Sequence, residues 1–527
     1  MEQDFVKIKE YYARLSQLLF FDIQRLGEDW LRKRLTAHWP MLPAAAEPKQ
    51  CDFMQIIRFA LAVDSEELHD RKYPLRAEYR TIAGKAFLSD ANVFSILAKE
   101  LLLLIFKTSN ELFDALDSSF RTRHKDLNGL ERYLLAFLTG SVALNIELYS
   151  QASEYFKKTR AIYTDCVYSA LAEEAIIEAS GGTLLNYDLS ERTCLLPFNQ
   201  LMSIPTNIES FSYAFGLCNC PSMLPFYPPP ENPWNGTTAQ EIRRSIHDGS
   251  FRYCNKLSCF HIKNGTLPKK TDISDAYISP ILDNKITKMP RGPYTLVLGH
   301  DATCNLACPQ CRTGFCHTNK IEQGRHFSFF KNHIEPLMTE NLHWIWLGNT
   351  GEAFASPHTL QIIKSMDFAK FPHLKFMVLS NGQLLTPSLW KKLGEAARRM
   401  THFRISVDGA EKSYERLRYP GKWEKLETNM AFLSSKRDVG EILNLVVQCV
   451  VQTDNLPDLW RIYEKSLEWH VDACVFTPLR NVGTMTETEF IHRSVFSPEH
   501  PLHEEMQTIF SAIRKDAEGK PVSIFIG

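Results

Sequence analysis

The chain has 527 residues, of which 44% are hydrophobic, 11% aromatic and 23% charged; this excludes a disordered chain and suggests a globular protein of two to four domains. Its 60 basic and 61 acidic residues leave a formal charge of -1, which excludes a global field for a membrane surface and argues against a large nucleic-acid footprint. An acidic start without signal-peptide order, a longest apolar run of only six residues (Leu101 to Phe106) and thirteen cysteines point to a soluble, cytoplasmic, metal-binding protein with no membrane span.

Residues 1–183 read as an α-helical domain of unassigned role. Phe5, Ile8, Tyr12, Leu15, Leu19, Ile23, Leu26 and Trp30 recur at intervals of three and four, the period of an amphipathic helix. Ser89-Asp90 offers a cap before a second such stretch, Val93 to Phe113, and a third runs from Leu130 to Ala179 with a break near Gly140. No segment recurs at a fixed period, so a repeat array is rejected.

Helical periodicity stops after Gly181-Gly182. Five of the thirteen cysteines then crowd together, Cys194, Cys218, Cys220, Cys254 and Cys259, around a proline-rich stretch from Pro221 to Pro233. Four of them could hold a fully protein-ligated iron–sulfur cluster or a zinc ion, and spacing does not choose between the two. Without metal they would be small buried hydrophobes.

The residues Cys194-Leu195-Leu196-Pro197-Phe198, Trp234-Asn235-Gly236, Glu241-Ile242-Arg243, Asp248-Gly249, Tyr253-Cys254 and Cys259 resemble the SPASM/twitch auxiliary-cluster domains of radical S-adenosylmethionine (SAM) enzymes. The order differs, because such domains normally follow the catalytic barrel. The resemblance implies one auxiliary iron–sulfur cluster over residues 184–265, on Cys194, Cys254, Cys259 and one of Cys218 or Cys220. A polar linker, 266–289, follows.

From residue 290 to 527 apolar runs alternate with amphipathic stretches. Thr295–Leu298, Trp344–Leu347, Lys375–Leu379, Phe403–Val407, Leu443–Val451 and Cys474–Thr477 read as strands, with a last run at Val522–Ile526. Between them, Phe327–Met338, Leu360–Phe368, Ser388–Ala397, Trp423–Leu433, Leu456–Trp469 and Leu502–Ala517 read as helices. The alternation predicts an α/β fold with a parallel sheet, and six βα units fit a partial (βα)6 TIM-like barrel. Chemistry in such folds sits at the C-terminal ends of the strands.

The unusual residues fall at those ends. Cys304, Cys308 and Cys311 follow the first strand at spacings of four and three. A closed zinc site wants four ligands and a redox pair two, whereas three thiolates leave one iron of a cubic cluster open. Gly351-Glu352 follow the second strand, Ser380-Asn381-Gly382 the third, and Ser406 and Asp408-Gly409 end the fourth. Gln310 and Arg312 read as surface residues of the cysteine loop, the spacing of Cys316 is wrong for the triad, and Cys449 and Cys474 read as packing residues.

This constellation, with Tyr414 and Arg418, resembles the radical SAM superfamily over residues 290–480. The resemblance implies that Cys304, Cys308 and Cys311 hold a [4Fe–4S] cluster whose open iron chelates S-adenosylmethionine. It implies SAM contacts from Gly351, Glu352, Ser380, Asn381, Ser406 and Asp408. Gly351, having no side chain, is expected to let the backbone approach the methionine ammonium. One electron, from a donor such as a ferredoxin or flavodoxin, would cleave the sulfonium to a 5′-deoxyadenosyl radical that abstracts a substrate hydrogen. Enzymes that combine these modules commonly modify peptides or proteins, so the expected partner is a peptide or protein. Modification of a small molecule, carbohydrate or nucleic acid is the alternative within enzymes, and a zinc-binding interaction protein the alternative outside them.

Overall fold

The computed structural model describes residues 110–123, 148–162 and 185–527, with isolated positions between 136 and 146 and at 177, and without 208–211, 218–231, 252–253, 255, 257–258, 313, 481–483 and 486. The expected helix over 5–39 and most of that over 93–113 lie outside the described residues, as do Cys51, Cys166, Cys218 and Cys220. Of the third expected helix, Tyr149–Ile162 is described.

The architecture is mixed α/β around one nine-stranded sheet. Its strands are β1 (Gln200–Asn207), β2 (Ser212–Gly216), β3 (Thr295–Leu298), β4 (Trp344–Leu347), β5 (Lys375–Ser380), β6 (Met400–Ser406), β7 (Asn444–Val451), β8 (Ala473–Pro478) and β9 (Ser523–Ile526). From β3 to β9 every strand lies parallel to its neighbour in sequence. The six expected core strands are all present, together with the last one.

The sheet does not stop at the expected boundary near residue 290. β1, from the cysteine-rich segment, pairs parallel with β3, Gln200 opposite Thr295 and Ser203 opposite Leu298, and β2 closes that edge antiparallel to β1. The run Leu201-Met202-Ser203-Ile204 does not stand out as a strand in the sequence, because its partner lies more than ninety residues away.

Alternation fixes which way the sheet faces. Ile345, Leu347, Phe376, Val378, Phe403, Ile405, Val447, Cys449, Cys474 and Phe476 point to one side and are at most 1% exposed. They pack with Leu426, Leu433 and Ile462 of the crossover helices Trp423–Asp438 and Leu459–Glu468. Each large apolar side chain so buried contributes about 1.5–3 kcal/mol. Cys449 and Cys474 are therefore packing residues, in keeping with their setting in apolar strands.

Caps explain where helices begin. The helix Lys320–Phe329 starts seven residues before the expected Phe327, because Asn319 accepts the N–H groups of Ile321 and Glu322 while Glu322 accepts that of Asn319, a reciprocal capping box. It then widens into a π turn, Phe330–Ile334, and ends in a short 3₁₀ turn, Glu335–Leu337, at Pro336, which lacks the N–H to continue. The helix Pro357–Lys364 is capped by Ser356, whose hydroxyl accepts from Thr359 N. Among the described residues no helix is long and apolar enough to cross a membrane.

Candidate functional site at the strand ends

The cysteine loop is held by its neighbours before it holds anything. Beyond β3, Asp301 accepts the N–H and hydroxyl of Thr303 at 2.8 and 2.5 Å and also the Ser356 hydroxyl. Glu352 N donates to Thr303 O at 2.8 Å, tying the loop to the end of β4. Cys304 N donates to Cys316 O at 2.9 Å, and Ala307 N to Tyr419 O at 2.7 Å. Cys304 and Cys316 thus face each other across an isolated antiparallel bridge, an unexpected role for Cys316.

Gly351 is required by the packing of the chain itself. A Cβ at this position would meet Thr303 O at 2.5 Å, the Ala302 carbonyl carbon at 2.8 Å and Asp301 O at 2.9 Å. The space a side chain would fill is occupied by the backbone leading into Cys304. Gly348 is needed on two counts, a φ of 81° and the approach of Leu379 O, which would lie only 2.0 Å from a Cβ.

Arg312 and Gln310, expected at the surface, are structural. Arg312 donates to Ala302 O at 3.0 Å and Thr350 O at 3.1 Å, and approaches Cys311 Sγ at 3.5 Å. Gln310 is buried and donates to Asp408 at 3.0 Å. Their polarity suggests a solvent setting; only the fold brings partners 38 and 98 residues away.

Of the three thiols, Cys304 and Cys308 are buried and Cys311 is exposed. Burial pushes the Cys304 thiol up against the pull of Arg312, and pushes Cys308 up to about 11 against the pull of Arg418. The buried thiols of the free chain are protonated at neutral pH and must lose protons to bind a metal.

Glu352 and Asp408 are spent on the protein itself. Glu352 accepts from Ser380 Oγ at 2.9 and 3.1 Å and from Asn381 N at 2.7 Å, and burial raises its pKa to about 7 despite these bonds. Asp408 is wholly buried, ion-paired with Arg418 at 2.7 Å, and accepts from Val450 N at 2.8 Å. Burial works against the Arg418 charge, but Asp408 and the nearby thiols raise its pKa overall. Asn381 reaches the loop, donating to Asn305 Oδ1 at 2.9 Å with Cys304 Sγ at 4.0 Å. Ser406 stands half-buried at the end of β6, opposite Gln448. The fold thus gathers the cysteine loop, Gly351, Glu352, Ser380, Asn381 and Asp408 into one connected rim.

Three thiols on one loop are the donor set of a cluster with one open iron. Among the described residues no group of three His, Cys, Asp or Glu is placed to hold a single metal ion. Two cations, Arg312 and Arg418, stand by to offset the thiolate charge. Gln310 Oε1 and Arg418 Nε are buried with no hydrogen-bond partner among the described residues, as groups meant for a polar ligand would be.

In the cysteine-rich segment, Cys254 is buried in the main core, and Cys194 and Cys259 are partly buried against it. The Trp234-Asn235-Gly236 motif anchors the linker. Asn235 exchanges bonds of 2.8 and 2.9 Å with Met289, Trp234 Nε1 donates to Arg291 O at 2.7 Å, and the Arg243 guanidinium lies 4.3 Å over the Trp234 ring.

No protein-family model matches the sequence, and no curated protein matches it. Among solved structures, the chain is similar to Streptococcus suis SuiB bound to precursor peptide SuiA, at 13% identity and a TM-score of 0.31 over 55% of this chain and 62% of that one. It is similar also to SuiB bound to S-adenosylmethionine, at 12% identity and a TM-score of 0.32 over 55% and 66%. The matched region spans less than two thirds of either SuiB chain, and a likeness of this degree establishes no shared activity.

Proposed function

We propose that this chain is a radical SAM enzyme acting on a peptide or protein. The observation that carries the reading is a single loop after β3 bearing Cys304, Cys308 and Cys311, with Arg312 and Arg418 beside it. The thiolates of the buried Cys304 and Cys308 are costly unless cations stand close, and here two do. Held by Cys304, Cys308 and Cys311, a [4Fe–4S] cluster reduced by an external donor would supply the one-electron chemistry that cleaves S-adenosylmethionine. The protein's share is positioning: Gly351 lets the loop pack on the end of β4, and Asn381 holds Asn305 within it. We assign Ser406 to the ribose hydroxyls and Ser380 and Asn381 to the methionine end of SAM. Glu352 and Asp408 act one step back, through Ser380 and Asn381 and through Arg418.

The sequential, parallel order of β3 to β9 supports the partial-barrel reading. Right-handed crossovers keep every helix on one side, and the sheet then curls around its other face. In the same reading Cys194, Cys254, Cys259 and one of Cys218 or Cys220 hold an auxiliary, SPASM/twitch-like cluster. Residues 1–183 form the helical domain, 184–265 the auxiliary segment, 266–289 the linker and 290–527 the core, with β1 lent to the core sheet. Cluster-bearing thiols suit the reducing cytoplasm, with a ferredoxin or flavodoxin as electron donor.

The test is anaerobic. Reduced protein should convert S-adenosylmethionine to 5′-deoxyadenosine, and Cys304→Ala should stop this while leaving iron at the auxiliary site. Undiminished cleavage by the variant, or a preparation containing zinc and no iron, would sink the assignment.

A further inference from the structure

From β4 to β9 the face of the sheet turned away from the helices is partly open, with Val446 and Ala473, level with Arg404, buried in it. Trp346 pairs with Met377, Leu379 with Arg404, Ser406 with Gln448, Gln448 with Val475, and Val475 with Phe525. All of these side chains are half-buried or exposed, and Phe525 is 56% exposed. The face is largely apolar, and Arg404 stands midway across it. The other cation on this face, Lys375, sits at the start of β5 against the Trp344 ring at 5.9 Å.

Arg404 has little to hold. Its Nη1 donates to Gln448 Oε1 over a long 3.4 Å, and no carboxylate pairs with it among the described residues. Solvent reaches the side chain, yet the surrounding walls lower its pKa by burial, as for a cation inside a cleft. A planar guanidinium with spare donors above an apolar floor is complementary to an apolar ligand carrying one carboxylate. From β4 to β9 the face crosses five strand spacings, about 24 Å at ~4.8 Å each. Measured along the curled sheet, that width leaves room for a short stretch of extended peptide.

We propose that this face receives an extended stretch of peptide substrate and seats one acidic side chain, Asp or Glu, on Arg404, with Gln448 as the second polar contact. The identification of this peptide as the substrate rests on the function proposed above; the binding does not require the cluster chemistry. It makes Arg404 a specificity-determining residue.

Two labelled apolar heptapeptides, identical except for a central Glu or Gln, are titrated by fluorescence anisotropy against the full, cluster-loaded chain. The Glu peptide should bind at least tenfold tighter. Arg404→Met should erase the difference with an unchanged melting temperature, and Arg404→Lys should keep part of it. Equal affinities, no binding of either peptide, or a preference that survives in Arg404→Met overturns the proposal. So does a tenfold loss of S-adenosylmethionine binding in Arg404→Met with peptide discrimination intact, since Arg404 would then serve the SAM carboxylate. If wild-type protein discriminates the peptides but cleaves no S-adenosylmethionine, the peptide site stands and the radical reading fails.

Discussion

The Glu352 carboxylate accepts the backbone N–H of Asn381 at 2.7 Å, so the end of β4 is fastened to the end of β5 by one buried side chain. Glu352→Ala leaves that N–H and the Ser380 hydroxyl without their acceptor, at a cost of about 1–3 kcal/mol for each unsatisfied group. Denaturant unfolding should register the loss, and cluster loading should fall because Asn381 no longer presents its amide to Asn305. The pH dependence has a definite sign. Burial raises the folded pKa of Glu352 to about 7 from an ordinary value of 4.5, so its contribution is fully present below 4.5 and is lost as pH rises through 7. Stability of wild type relative to Glu352→Gln should decline across that window, and a flat difference would refute it.

Gly351→Ala tests the packing of the cysteine loop on the end of β4. Backbone atoms at 2.5–2.9 Å cannot yield as a flexible side chain would, so the loop must shift. Iron and sulfide per chain should drop severalfold after anaerobic reconstitution, while the melting temperature changes less than in Gly348→Ala, where strained φ adds to the clash. Full iron content in Gly351→Ala would show that the loop has slack.

A second buried group lies behind the loop. His300 Nε2 and His358 Nε2 are 2.8 Å apart, His300 Nδ1 lies 2.7 Å from Ser203 Oγ, and His326 stands 3.8 Å from Asp301. Burial holds all three imidazoles below their ordinary pKa. The unfolded chain then takes up protons before the folded one does, so stability should fall as pH drops below about 6.5. His358→Gln should reduce the slope of unfolding free energy against pH in this range. An unaltered slope would mean that the histidines do not govern acid sensitivity.

Arg418→Met strands Asp408 as a buried charge with no partner cation. Breaking one side of a buried pair costs about 3–5 kcal/mol, which should appear in denaturant unfolding. Cys308 should also become less acidic still, because Arg418 is the cation that pulls its pKa down. Alkylation of the cluster-free variant, followed by mass spectrometry, should show slower modification at Cys308. Faster modification of Cys308 in a still-folded variant would contradict this.

Local patterns reveal the strands and miss the couplings. Trp344–Leu347 and Lys375–Ser380 are legible because one side of the sheet must be apolar whatever lies opposite. The cysteine triad is legible because its three thiols come from eight consecutive residues. Gln310, Arg312 and β1 are not, since each takes its meaning from a partner that only folding supplies. Gly351 is an instructive intermediate, its need for glycine visible in sequence and the reason hidden.

The pairing of β1 with β3 has a consequence for how the chain can be divided. β3 is four residues long and carries the cysteine loop, and one of its two hydrogen-bonded flanks is furnished by β1. A fragment beginning at residue 290 would leave that flank bare, an adhesive edge directly beneath the three cysteines. The segment that carries β1 is therefore a foundation stone of the sheet that bears the cysteine loop.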